Sequence, residues 1–540
     1  MTVRTRFIAG LLALALIWFG TLDYRKLVRP DEGRYAEIPR EMALSGDWVT
    51  PRLNGLKYFE KPPLQYWATT AAFKIFGPAE WTARLWPALT GFLGILLAGF
   101  TARRLFGPTA ALYAVTILSS SLLYLAMAQI NAVDMGMCFF LEAAVCGFLL
   151  AQGGNRRWML AAWAGLALAV LSKGIVALVL TGGTLILYSI LSRDWSPWRR
   201  FEWARGLPLF LLIAVPWFIA VSLANPEFPR FFFIHEHFER FLTTVHRRYQ
   251  PFWFFVPLLL LGALPWTGMA LQALRQAWTR RTETEFQARR FLLIWCLVVF
   301  GFFSISSSKL PAYILPLFPA LALLLADYLP RMPQRALLGH LGLLALVALT
   351  GLLLSPIIAD GADEITPPEM VVPYARVAAF SAAIWLAGIL TAFWLVWRQR
   401  RTPAMLTLAA ASLLAGLGIL LGHNNLNQSS SAHFIASQVK PLLTPEASFY
   451  SVGVYDQTLP FYLGRTITLV RYRDEFALGQ DQEPDKWIPT EAEFRQRWLA
   501  DRDAFAFVEP DTYEDLRRSG FPMVEAARDT RRVIIRKPQP

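Results

Sequence analysis

The residues of this 540-residue chain whose types and spacing suit chemistry crowd into one stretch near its N-terminus. Between Asp23 and Lys61, fifteen charges fall in 39 residues, eight cations against seven anions, where charged residues make up 17% of the whole chain. Pro30 is placed to open a helix, with Asp31 and Glu32 in its first turn against the positive end of the dipole. Asp31, Arg34 and Tyr35 then share one face at i, i+3, i+4, and Tyr35, Ile38 and Met42 form a short apolar stripe. Pro39 must bend this helix or end it early, and Ser45-Gly46 is a stop signal. Such a helix belongs at a membrane interface rather than across it. Asp31 and Glu32 read equally well as helix-end charges with Arg34 their surface partner, or as a site.

A second cluster follows in Tyr58-Phe59-Glu60-Lys61-Pro62-Pro63, a charged pair between aromatics and prolines, where a fixed backbone suits a site. Asp134 lies in an apolar neighbourhood, where an acid is costly and needs a partner, either Arg34 or Lys61. Lys173 and Lys309 stand at outer ends of apolar runs, where snorkelling explains a lysine. The run from Phe231 to Phe255 holds His235, Glu236, His237, Glu239, Arg240, His246, Arg247 and Arg248. His235 and His237, with Glu60, offer metal-type ligands, but two histidines two apart do not share a helical face. The arginines suit a phosphate contact better. His423 reads as an ordinary interfacial residue, and Cys138, Cys146 and Cys296 as packing.

Something must hold these groups, and composition says what. Apolar residues make up 55% and mean hydropathy is +0.39, too little polar surface for a soluble chain of this size. The net charge of +13 raises the question of nucleic acid, but the cations are scattered between apolar runs and set topology instead. Thirteen spans are expected near 7–22, 79–101, 109–128, 135–151, 157–172, 174–191, 207–223, 252–272, 291–306, 311–327, 336–356, 377–397 and 403–422. Twenty cations, from Arg4 and Arg6 to Arg400 and Arg401, fall on alternate connections, which places that side and the N-terminus in the cytoplasm. The outer side then holds 23–78, 224–251 and a tail, 423–540. In the tail, short β-rich runs (SFYSVGVYD, TITLV, DAFAFVE, RRVIIR) alternate with helical patterns, as in a small α/β domain. No Walker loop and no Gly-rich dinucleotide turn is present. Neither a nucleotide nor nucleic acid is therefore expected as a partner, and any group this chain moves must arrive already activated on the outer side.

RPDEGRYAEIPREM, SGDW, GLKYFEKPP, the Lys173 turn, EHFERF, HRRYQPFW, LPW and KLPAYILP closely resemble the bacterial lipid A aminoarabinose transferases, within the protein-mannosyltransferase-like membrane glycosyltransferases. The resemblance runs from residue 29 to about 319 and does not extend to the tail. It implies a GT-C fold, with 1–422 as the membrane domain and 423–540 as a periplasmic α/β domain. The implied activity moves 4-amino-4-deoxy-L-arabinose from undecaprenyl phosphate to a lipid A phosphate at the periplasmic face of the inner membrane, which gives polymyxin resistance. Residue by residue it puts Asp31 at the principal carboxylate, with Glu60 and Asp134 beside it as catalytic groups. Arg34, Tyr35, Tyr58, Lys61, Lys173, Arg247 and Arg248 fall on substrate-binding positions, Lys61 and Arg34 against the donor phosphate. No cofactor is required, and a divalent metal remains compatible. Transfer of another sugar, or a lipid-sugar flippase without chemistry, are the rival readings.

The topology has a direct test. A reporter active only outside the cytoplasm should work when fused after residue 540 and be silent near Arg280. An inactive C-terminal fusion would put the tail on the wrong side.

Overall fold

The computed structural model describes residues 3–239, 250–278 and 286–539, with side chains omitted for a few at the segment ends. Each expected span coincides with a helix or a bent helix pair. By length and composition, seven described helices can cross a membrane, and up to nine if the pairs Pro108–Ser120 with Leu122–Ala128 and Phe255–Gly262 with Thr267–Ala277 each count as one span. That falls short of thirteen. Leu317–Tyr328, for example, has 12 residues, about 18 Å of helix against a hydrocarbon core of about 30 Å. The three cysteines are free and buried in membrane helices.

The tail is a five-stranded mixed sheet of β3 (Ser448–Val452), β4 (Thr468–Val470), β5 (Ala504–Val508), β6 (Val524–Arg528) and β7 (Val533–Arg536), in the order β4-β3-β5-β7-β6. Strand alternation divides its two faces. Tyr450, Val452, Ala504, Ala506 and Val508 pack under the tail's own Phe494, Trp498 and Leu516. Phe449, Phe505, Phe507 and Ile534 face the other way, onto Tyr35, Ile38 and Met42 of the helix Asp31–Ser45. The expected apolar stripe therefore meets the tail.

The helix Asp31–Ser45 is buried from Glu32 to Met42, packed against the helix Leu64–Phe76, the strand Arg52–Leu53 and the tail helix Leu459–Leu463. It passes through Pro39 without ending early and stops at Gly46, whose φ of 73° is the left-handed conformation glycine tolerates. A hairpin of β1 (Arg52–Leu53) and β2 (Leu56–Lys57), turned on Asn54-Gly55, then delivers Tyr58–Lys61 to the same place.

Glu32 anchors the whole assembly. Its carboxylate takes Arg25 at 3.0 Å, Arg84 at 2.7 Å, the amide of Val28 at 2.9 Å and that of Asn131 at 3.1 Å. Arg84 also donates to the carbonyls of Leu22, Arg25 and Lys26. Burial alone would raise the Glu32 carboxyl, but the two guanidinium groups bring it down to about 2. A carboxylate depressed in the folded state stabilises the fold above its unfolded value, near 4.5, and loses that contribution as pH falls towards 2. Thermal melting of the purified chain should therefore weaken between these two values. Glu32→Gln should lower stability at neutral pH by about 3–5 kcal/mol, since both arginines stay buried, and should flatten that acid-side slope. A full slope in the variant would assign the acid sensitivity to another carboxylate.

Candidate active site

Asp31 opens the helix with its side chain 47% exposed, the only part of the first turn that faces outward, while Glu32 beside it points into the core. Arg34, one turn on, donates from Nη1 to Asp31 at 2.8 Å. The rest of its fork goes elsewhere: Nε reaches Glu475 of the tail at 2.6 Å, and Nη2 pairs with the same carboxylate. Glu475 is held in turn by Gln457 Nε2 at 2.7 Å. Arg34 is therefore the tether of Asp31 and the seam between tail and membrane domain. Besides the role at a donor phosphate that the family resemblance implies, Arg34 bridges two carboxylates, Asp31 and Glu475. Burial pushes the Glu475 carboxyl up while Arg34 pulls it down.

Tyr35, Tyr58 and Tyr66 form a phenol wall next to this pair. The rings of Tyr35 and Tyr66 stack at 6.2 Å. All three phenols are pushed up, first by burial and then by carboxylates: Asp31 for Tyr35, Glu60 for Tyr58 and Tyr66. The hydroxyls of Tyr58 and Tyr66 have no hydrogen-bond partner among the described residues. Lys61 Nζ donates to the Glu60 carbonyl at 2.7 Å and lies 3.4 Å from the buried carboxylate of Glu236. Glu60, Arg34, Asp31 and Glu236 all act electrostatically on the Tyr66 phenol.

Asp134 is not the partner of Arg34 or Lys61. It begins the helix Asp134–Gln152 and is hydrogen-bonded to Lys173, whose ammonium sits 4.4 Å from the Tyr313 ring centroid. Lys173 does not snorkel, because an acid and an aromatic face hold it in place. Lys309 is buried too, bonding the carbonyls of Gln250 and Ser306 at 2.8 and 2.5 Å. His235 stacks on Phe231 at 5.2 Å. Arg247 and Arg248 lie outside the described residues, as does the side chain of His237. Among the described residues no group of three or more His, Cys, Asp or Glu is placed to hold a metal, and the Lys61 ammonium beside Glu60 and Glu236 opposes a divalent cation there.

Sequence reasoning missed Glu475, Tyr66 and the part played by Glu236. Glu475 carries no local signal; Glu236 lay inside the His-Glu-His run, where the flanking histidines drew the attention.

Comparison with known proteins agrees with this geometry. A family described as aminoarabinose transferase C-terminal domain matches residues 435–537, and one described as dolichyl-phosphate-mannose-protein mannosyltransferase matches 3–232. ArnT from Cupriavidus metallidurans, crystallised with undecaprenyl phosphate, is 39% identical and superposes with a TM-score of 0.94 over 98% of each chain. The chain belongs to the aminoarabinose transferase family. Its fold is the GT-C fold of that family, and it is a polytopic inner-membrane protein. The arabinosyl transferase of Edwardsiella ictaluri is 37% identical over 60% of each chain, and that of Pseudomonas aeruginosa 35% identical over 63% of this chain and 62% of its own. These alignments span about three fifths of the curated relatives' length. The family match to the tail supplies what the sequence motifs did not reach.

The Arg34–Glu475 pair, both partners almost fully buried, gives a double-mutant test. Arg34→Met leaves a buried carboxylate without its cation and should cost about 3–5 kcal/mol. Adding Glu475→Leu should recover much of that loss, read as the thermal midpoint of the purified chain. A double variant no more stable than Arg34→Met would deny that the pair couples the two regions.

Proposed function

We propose that the chain transfers 4-amino-4-deoxy-L-arabinose from undecaprenyl phosphate to a phosphate of lipid A on the periplasmic face of the inner membrane. The observation that carries this is the superposition, end to end, on a relative crystallised with undecaprenyl phosphate. In this reading the N-terminus is cytoplasmic, and residues 423–540 form the periplasmic domain that covers the site.

An acceptor phosphate oxygen attacks the anomeric carbon, the bond from that carbon to the carrier phosphate breaks, and undecaprenyl phosphate leaves with the bonding pair. The nucleophile is already ionised at neutral pH, so no strong general base is required. Asp31, held by Arg34, stabilises positive charge growing at the anomeric carbon. Lys61 neutralises the departing phosphate, where charge-assisted contacts strengthen as the bond breaks. Glu60 faces the sugar's ammonium, and the free phenols of Tyr58 and Tyr66 suit its oxygens. Asp134 and Lys173 form a second charged pair at the membrane end, with Arg247 and Arg248 as further phosphate contacts. No resident cofactor enters this sequence.

Mass spectrometry of lipid A from cells carrying each variant tests the assignment. Asp31→Asn keeps the shape and caps a helix as well as Asp does, yet should reduce transfer roughly 10²–10³-fold and abolish polymyxin survival at normal expression. Lys61→Ala should lose at least about tenfold. Full modification with Asp31→Asn would return that residue to a capping role, and a different added mass with the native chain would change the sugar.

A further inference from the structure

Of the eight cations between Asp23 and Lys61, seven have a carboxylate partner. Arg25 has Glu32, Lys26 has Glu80, Arg34 has Asp31 and Glu475, and Arg40 has Glu37. Arg52 has Glu483, Lys57 has Glu227, and Lys61 lies by Glu60 and Glu236. Arg29 is the exception. Its backbone amide is fixed to the Ser430 carbonyl at 3.0 Å, but among the described residues its exposed guanidinium forms no ion pair. Behind it stands Arg531 of the tail, bonded to the neighbouring carbonyl of Ser429 at 3.1 Å and likewise without an ion pair among the described residues. The acids nearest Arg531, Asp456 and Asp529, are both engaged by Arg532, so two arginines held at consecutive carbonyls leave positive charge at one spot.

That spot lies beside a cavity of about 310 Å³, whose rim carries Arg29 and Asp31. Arg25 and Glu32, paired with each other, form one wall, and the other is Ile419 and Leu420 from the membrane helix Arg401–Gly422 and Tyr374 from the helix Pro368–Trp397. His423 completes it, with Nδ1 buried and unpartnered among the described residues. Glu32 is held by Arg25 and Arg84, and Asp31 by Arg34, so the cavity joins one cation without an ion pair among the described residues, Arg29, to an apolar wall. Tyr58, Glu60, Lys61 and Lys173 do not line it. Asp31 alone belongs both to this cavity and to the cluster around Lys61.

We propose that this cavity is the acceptor seat: the phosphate of a glycolipid lies against Arg29 and an acyl chain runs along Ile419 and Leu420. The inference rests on the transfer reading above and adds where the second substrate enters. A transferase that moves a sugar from one lipid phosphate to another must hold two like charges near one sugar, each against its own cation. Lys61 on one side and Arg29 on the other, with Asp31 between, meets that requirement.

Native mass spectrometry of the detergent-purified full chain, with lipid A, undecaprenyl phosphate and phosphatidylglycerol as separate probes, tests it alongside transfer kinetics. Arg29→Gln should lose bound lipid A while keeping undecaprenyl phosphate, and should raise KM for lipid A at least about tenfold, the size of one charge-assisted contact, with little change in kcat. Arg29→Lys should recover part of the loss, and Ile419→Trp should repeat it by filling the cavity. A raised KM for the donor would assign the cavity to the carrier and overturn the proposal. So would unchanged lipid A binding, or phosphatidylglycerol held as firmly as lipid A through Arg29. Binding of lipid A that depends on Arg29 in a wild-type chain that transfers no sugar would leave the seat standing and remove the transfer reading instead.

Discussion

A single buried carboxylate fixes where everything else in the site can be. Glu32 joins the exit of the first membrane helix through Arg25, the start of the second through Arg84, and the Gln129–Asn131 connection through the Asn131 amide. A carboxylate inside protein is tolerable only when charge and hydrogen bonds replace the lost water, and this one has two guanidinium groups and two amides. Because successive side chains on a helix point in different directions, locking Glu32 inward turns Asp31 outward. The acid that touches substrate in the proposed reaction is positioned by the acid that cannot.

The second constraint comes from the tail. One face of its sheet is finished by its own helices, and the other shares a core with the tail's Ile435 and Leu459 and with Tyr35, Ile38, Met42, Leu53 and Leu56 of the membrane domain. Neither the charged helix nor the sheet would be fully covered alone. The seam carries its polar groups in pairs: Glu37 with Arg40 at 2.6 Å, Asn54 bonding both ways with Ile467, and Arg34 with Glu475. The tail is thereby part of the site, since the group that steadies Asp31 is itself steadied from the tail.

What the sequence disclosed follows from this. Density of charge, the Pro30 start, the Ser45-Gly46 stop, the stripe of Tyr35, Ile38 and Met42, and the β runs of the tail are local signals, and the structure contains each of them. Partners distant in sequence were not legible. Arg34 meets a residue 441 positions away and Glu32 one 52 away, while Asp134 finds Lys173 at 39. Spacing on a helix names the face a side chain takes and says nothing about what the fold lays against that face. The Arg34 contact to Asp31 was thus legible from helical spacing, and its contact to Glu475 was not. Apolar runs are visible in sequence, and each became a helix or a bent pair, but a bend such as the 108° between Phe255–Gly262 and Thr267–Ala277 is not.

The groups left over are as informative as those that pair. A buried hydroxyl without a partner costs about 1–3 kcal/mol, and a fold keeps such groups where something else supplies the bond. Tyr58 and Tyr66 both carry one, within the electrostatic reach of Glu60 and Arg34. Rigid neighbours prevent them from turning to one another: Tyr66 is stacked on Tyr35, and Tyr58 is set by the hairpin that precedes it. Such groups cost the apo protein stability, and a sugar with several oxygens returns it on binding. In a site whose charges are already tethered, that exchange favours a ligand able to reach acid, ammonium and phenol at once, which a sugar carrying both an amine and a phosphate can do.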